Sequence, residues 1–155
     1  MYLIRTKLYA SPMKRKILYI IDSLEFGGGE RLVSQLINRL CKDKFKITVA
    51  CHPTGTFMEK VEGSGVQARS VDMRNRYSLK VVLRLAGLMK SDKIDIVHSL
   101  GARADFFARM AAKIARVPVV VSTVAMPVEG FDVSPLRKKI YSFFNRFSER
   151  YVDLF

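Results

Sequence analysis

Five short apolar runs divide this chain at near-regular intervals: Ile17–Ile21, Ile47–Cys51, Ala68–Val71, Ile94–Val97 and Val117–Val121. They are rich in Val and Ile and do not alternate strictly with polar residues, the pattern of strands covered on both faces. Segments of helical period stand between them. Leu32, Val33, Leu36, Ile37 and Leu40 form one stripe, and Leu79, Val82, Leu83, Ala86 and Met89 a second. Phe106, Phe107, Met110, Ala111 and Ile114 form a third, and a short helix is expected near residues 57–62. Strands alternating with helices build βαβ units, whose crossovers lay helices on both faces of a parallel sheet. The expected fold class is therefore α/β, a doubly wound parallel sheet in three layers. A length of 155 residues suits one such domain. Residues 1–13 have no clean period and read as an extension, which leaves residues 14–155 as the folded unit.

The charge balance narrows the partners. Lys and Arg number 27 against 14 Asp and Glu, a formal net charge of +13, which favours anionic ligands or surfaces. The basic residues are spread along the chain, without an Arg/Gly repeat or a basic–aromatic pattern, and this argues against nucleic acid as the partner. Cys41 and Cys51 fit neither zinc nor redox spacing, as expected of reduced thiols in the cytoplasm. No cluster of Asp, Glu, His or Cys has metal-ligand spacing, so no metal is expected. Nor does any run approach the roughly 20 apolar residues of a spanning helix. Contact with an acidic membrane would be peripheral.

The first apolar run leads into Asp22-Ser23-Leu24-Glu25-Phe26-Gly27-Gly28-Gly29-Glu30-Arg31, and a helical segment follows. A strand ending in a glycine-rich turn that opens a helix brings backbone N–H groups up to a phosphate. The spacing is that of neither a dinucleotide fingerprint nor a P-loop, and a plain tight turn remains an alternative. In a sheet of order 3-2-1-4-5, ligands bind beyond the carboxyl ends of strands one and four, where strand order reverses. The loops there hold Gly27 to Glu30 and His98-Ser99-Leu100-Gly101-Ala102-Arg103. Glu30 reads as a first-turn carboxylate favoured by the helix dipole. His98 reads equally as a structural or a ligand-contacting histidine at a strand end. Arg103 opens a helix, where the dipole disfavours a cation, so an anionic partner in the crevice is expected.

Beyond the fifth run, residues 123–135 read as a loop, and Pro135 suits the first turn of a last helix. Leu136, Ile140, Phe143, Phe144, Phe147 and Tyr151 share one side of that helix, which reads as core packing, with membrane contact as the alternative. Val152-Asp153-Leu154-Phe155 stands where a sixth strand would begin, and a further domain is expected after it.

With these residues placed, the sequence resembles the N-terminal domain of a GT-B glycosyltransferase of the retaining family 4 type, which includes many lipopolysaccharide and capsule enzymes. The likeness runs from about Lys14 to the end. Its marks are Lys16 to Ile21 followed by Gly27-Gly28-Gly29-Glu30, Asp95-Ile96-Val97-His98-Ser99, Gly101-Ala102-Arg103-Ala104-Asp105, and Ala112 to Thr123. The resemblance implies a Rossmann-like domain on the acceptor side of a cleft, with the sugar nucleotide held mostly by a second, C-terminal domain. Gly27, Gly28 and Gly29 would lie near the donor diphosphate. Glu30, His98, Ser99, Gly101, Arg103, Thr123 and Ala125 would line the acceptor side. The donor would be a UDP- or GDP-linked sugar, and the acceptor a glycan or lipid-linked sugar at the cytoplasmic face of the cell membrane. Ala125 and Leu100 depart from the pattern, since related enzymes often carry histidine at both places. Without the second domain this chain is expected to be inactive. The alternative reading is a non-catalytic Rossmann-like module for a phosphorylated ligand.

Overall fold

The computed structural model describes residues 14–22, 27–75, 78–123, 139, 142–143 and 146–154. Among these, five strands form one parallel sheet: β1 (Arg15–Ile21), β2 (Phe45–Cys51), β3 (Gln67–Ser70), β4 (Ile96–Leu100) and β5 (Val119–Thr123). Four helices connect them: α1 (Gly28–Arg39), α2 (Thr56–Gly63), α3 (Leu79–Ser91) and α4 (Ala102–Ala115). The strand order is β3-β2-β1-β4-β5, so the winding order of the parallel strands reverses between β1 and β4 as expected. The three-layer α/β architecture is thus established. The extension at residues 1–13 and the loop and Pro135 helix start beyond Thr123 lie outside the described residues.

The period-2 geometry of β1 sends its side chains alternately to two cores. Ile17, Tyr19 and Ile21 meet Val33 and Ile37 of α1 and Phe57 and Val61 of α2. Leu18 and Ile20 face Val82, Leu85 and Met89 of α3 and Phe107, Ala108 and Ala111 of α4. Burying a side chain such as Leu18 or Leu85 stabilises the fold by about 2 kcal/mol. Truncating either to Ala costs about 2–5 kcal/mol, because the neighbours close the cavity only in part.

Each strand differs by one to three residues at an end from the sequence expectation, and two of them, β4 and β5, start later than expected. Ile94 and Val117 precede their strands and instead close the preceding helices. The Ile94 N–H donates to Met89 O and the Lys93 N–H to Lys90 O, with Lys93 left-handed at φ 52°. The Val117 N–H donates to Ala112 O and the Arg116 N–H to Lys113 O, with Arg116 at φ 57°. Both are Schellman closures, in which an apolar residue after the turn packs back toward the core. That apolar residue looks like the first residue of a strand.

Helix phase also differs in places. Leu79 and Leu83 are exposed on α3, while Val81 and Leu85 are buried. The segment LKVVLRLAGLM is apolar almost all round, so its period does not select one stripe. Leu32 and Ile114 are likewise exposed. In the last helical region Phe143 and Phe147 are exposed, against the core-packing expectation at those two positions, while Tyr151 is half-buried, Ser148 is buried, and Leu136, Ile140 and Phe144 lie outside the described residues. Phe147 meets Tyr151 edge-on and lies under the Arg150 guanidinium, 4.0 Å from the ring centroid. Leu154 then pairs in parallel with Val121, in the place of a sixth strand.

Candidate functional site

The N-termini of α1 and α4 converge at the β1–β4 reversal, and each of the three consecutive glycines does something different there. A Cβ on Gly29 would come within 2.5 Å of Leu100 Cδ2, so the missing side chain seats α1 closely over the end of β4. A Cβ on Gly28 would meet nothing within 4 Å, so this residue faces open space. The Gly27 N–H donates to Glu30 Oε2 at 2.8 Å, half of a capping box. Glu30 is buried and satisfies the turn from within. The carboxylate therefore engages the Gly27 donor, and the open first turn presents its N–H groups from Gly28 onward.

Across the crevice, Gly101 takes φ +98°, a conformation that suits glycine, and passes the chain from β4 into α4. Arg103 follows in the first turn. Its Nε lies 2.7 Å from Oδ2 of Asp22, at the end of β1. Asp22 is nearly buried and Arg103 about one-third exposed, with side-chain exposures of 7% and 37%. The anionic partner expected for Arg103 is thus supplied by the chain itself. Sequence reasoning did not single out Asp22. Its signal was position, since the first residue beyond a strand at the reversal lies at the crevice.

His98 is not at the end of β4 but two residues inside it, opposite Tyr19 on β1 and Val121 on β5. Its Nε2 lies 2.8 Å from Thr123 Oγ1, and its ring lies 5.0 Å from the Tyr19 ring. Burial pushes its pKa below the ordinary histidine value, which keeps the ring neutral at pH 7. Thr123 and His98 thus form one half-buried pair below the rim of the crevice.

Ser99 points to the opposite face and is fully buried, so it lines no open crevice. Its hydroxyl lies 3.1 Å from Ser122 Oγ, which in turn accepts from Arg109 Nε at 3.1 Å. Arg109 Nη1 donates to Ser148 Oγ at 3.1 Å, and Nη2 lies 3.7 Å from Asp105 Oδ2. Burial pushes the Asp105 carboxyl up from its ordinary value. This buried network joins β4, β5, α4 and the helical residues 146–149. Alternating side-chain direction along β4 separates it from His98, which the sequence groups with Ser99. Ala125 lies outside the described residues.

The same sheet edge carries one more polar group. His52, at the end of β2, is buried with Nδ1 accepting from the Thr54 N–H at 3.3 Å. Its Nε2 lies 3.7 Å from Asp72, whose carboxyl Arg74 holds well below the usual range. Among the described residues no group of His, Cys, Asp and Glu could hold a metal ion, and no helix is long and apolar enough to cross a membrane. The crevice offers N–H donors, a cation held by a carboxylate, and a neutral histidine–threonine pair. Such an arrangement can bind and orient a phosphate-bearing or hydroxyl-rich ligand.

Comparison with known proteins gives a consistent picture. A family model described as a glycosyl transferase 4-like domain matches residues 27–155. A UDP-Gal:alpha-D-GlcNAc-diphosphoundecaprenol alpha-1,3-galactosyltransferase from Escherichia coli is 29% identical over 131 residues, covering 81% of this chain and 33% of the relative. The structure of HepE from Anabaena in complex with UDP and glucose aligns with a TM-score of 0.64 at 18% identity, over 84% of this chain and 35% of that one. MurG of Acinetobacter baumannii aligns with a TM-score of 0.64 at 15% identity, over 90% of this chain and 40% of that one. The chain therefore spans about a third of the length of the relatives that head these comparisons.

Proposed function

Since the chain belongs to the glycosyl transferase 4-like family, we propose that it forms the acceptor-side half of a sugar transferase whose donor is held mainly by a second domain. The observation that carries this reading is the β1–β4 reversal, where the open first turn of α1 and an Arg103 guanidinium anchored by Asp22 both lie beyond the strand ends. An open N-terminal turn stabilises negative charge through its unpaired N–H groups and the helix dipole. In a transfer reaction that charge develops on the departing diphosphate, and preorganised donors lower the barrier without reorganising. Gly28 and Gly29 contribute this stabilisation, and Glu30 holds the turn in shape by binding the Gly27 N–H.

Arg103, with its Nε occupied by Asp22, directs its remaining guanidinium N–H groups to an anionic acceptor. The His98–Thr123 pair orients acceptor hydroxyls below them. A UDP-linked sugar is the favoured donor, because a sequence relative uses UDP-Gal and a structural neighbour holds UDP. A lipid-linked diphosphate sugar is the favoured acceptor, by analogy with the same sequence relative. Such an enzyme works in cell-envelope polysaccharide synthesis, at the cytoplasmic face of the membrane.

The test uses the protein as its gene encodes it, supplied with UDP- and GDP-linked sugars and a short-chain prenyl-diphosphate GlcNAc. Transfer that falls at least about tenfold in Arg103→Gln, the loss of a charge-assisted contact, supports the reading. Ligand binding with no transfer from any donor would instead favour a non-catalytic module.

A further inference from the structure

A second cavity lies at the opposite edge of the sheet, about 20 Å from the crevice by the length of β1. Its volume is ≈ 200 Å³, and its lining includes Lys16, Lys46, Thr48, Gln67, Arg69 and Asp92. Lys16 and Lys46 are paired in register on adjacent strands β1 and β2. Like charges at such neighbouring positions destabilise a sheet. Lys16 Nζ donates to Asp92 O at 2.8 Å, which orients the ammonium without neutralising it. Arg69 enters from β3, and its Nη2 meets Asp92 at 3.4 Å while its Nε is buried without a hydrogen-bond partner. Three cations and one carboxylate, which of the three only Arg69 engages, thus line a cavity large enough for a tetrahedral oxyanion.

We infer that this cavity is a binding site for a phosphate group, distinct from the sugar-transfer crevice. Lys16 and Lys46 supply charge from one wall, and Arg69 supplies the unused Nε–H. The Thr48 hydroxyl, now 3.4 Å from Gln67 Oε1, can turn to donate to the same ligand. The phosphate belongs either to a small soluble ligand or to a lipid headgroup, and both present the same chemistry to these side chains.

The experiment titrates inorganic phosphate into the 155-residue chain, with chloride at equal ionic strength as the control, and follows binding by calorimetry and amide chemical shifts. Saturable binding is expected, weakened about tenfold in Arg69→Gln and about threefold in the exposed Lys46→Gln. Asp92→Asn is expected to tighten it about threefold, an opposite sign that loss of a structural ion pair does not predict. A parallel arm adds phosphatidylcholine vesicles with and without phosphatidic acid. Vesicle binding that phosphate displaces assigns the headgroup as the source, and phosphate binding without vesicle binding assigns a soluble ligand. Phosphate acting no differently from chloride, or binding unchanged by Arg69→Gln and Lys46→Gln, overturns the inference.

Discussion

Gly28 and Gly101 separate two reasons for a glycine, and each makes a prediction. Gly28 is helical with open space around it, so Gly28→Ala is expected to stabilise the fold by about 0.5 kcal/mol through helix propensity. The same methyl obstructs backbone approach, so donor use by the intact enzyme should fall while the melting temperature rises. Gly101 sits at φ +98°, and Gly101→Ala is expected to cost about 1–3 kcal/mol in denaturant unfolding, with no compensating gain. His98 adds a pH dependence. Its folded pKa is depressed, so the unfolded chain takes up a proton more readily. The stability this confers is present above the ordinary histidine pKa and is lost as pH falls through the lower folded value. His98→Gln should flatten that part of the stability–pH profile, and an unchanged acid limb would contradict the assignment.

At the scale of elements, the ends of α3 and α4 are the most telling. Lys93 and Arg116 occupy a left-handed conformation that costs a side-chain-bearing residue about 1 kcal/mol. Glycine at either position is expected to stabilise the protein by about 0.5–1 kcal/mol, read as a shifted urea midpoint at constant slope. These ends also show why two strand starts were misplaced by sequence reasoning. Ile94 and Val117 carry the apolar character of strand residues, but their N–H groups close helices. The buried Arg109 sets a further test. Arg109→Ala leaves the buried Asp105 carboxylate without its cation and should destabilise by about 3–5 kcal/mol. The double change Asp105→Asn with Arg109→Met removes both charges and should cost clearly less than Arg109→Ala alone.

For the molecule as a whole, the run of Val- and Ile-rich segments carried the sheet, its parallel pairing and its reversal between β1 and β4. The glycine turn and the positions of Gly101 and Arg103 were readable for the same reason, since they follow strand ends. Asp22 and the split between His98 and Ser99 were not. Both depend on which way a side chain leaves its strand, and a two-residue error in the end of β4 hides that direction. The phase of α3 was lost because its sequence is apolar on nearly every side. The central claim is that the Arg103 side of the crevice receives an anionic acceptor, while the Gly28 turn is kept for the donor diphosphate. It is tested most directly by amide chemical-shift mapping of this chain with a water-soluble short-chain prenyl-diphosphate GlcNAc. The account predicts saturable shifts at Asp22, His98, Gly101 to Arg103 and Thr123, with affinity reduced about tenfold in Arg103→Gln. Shifts confined to other surfaces, or binding indifferent to Arg103→Gln, would contradict it.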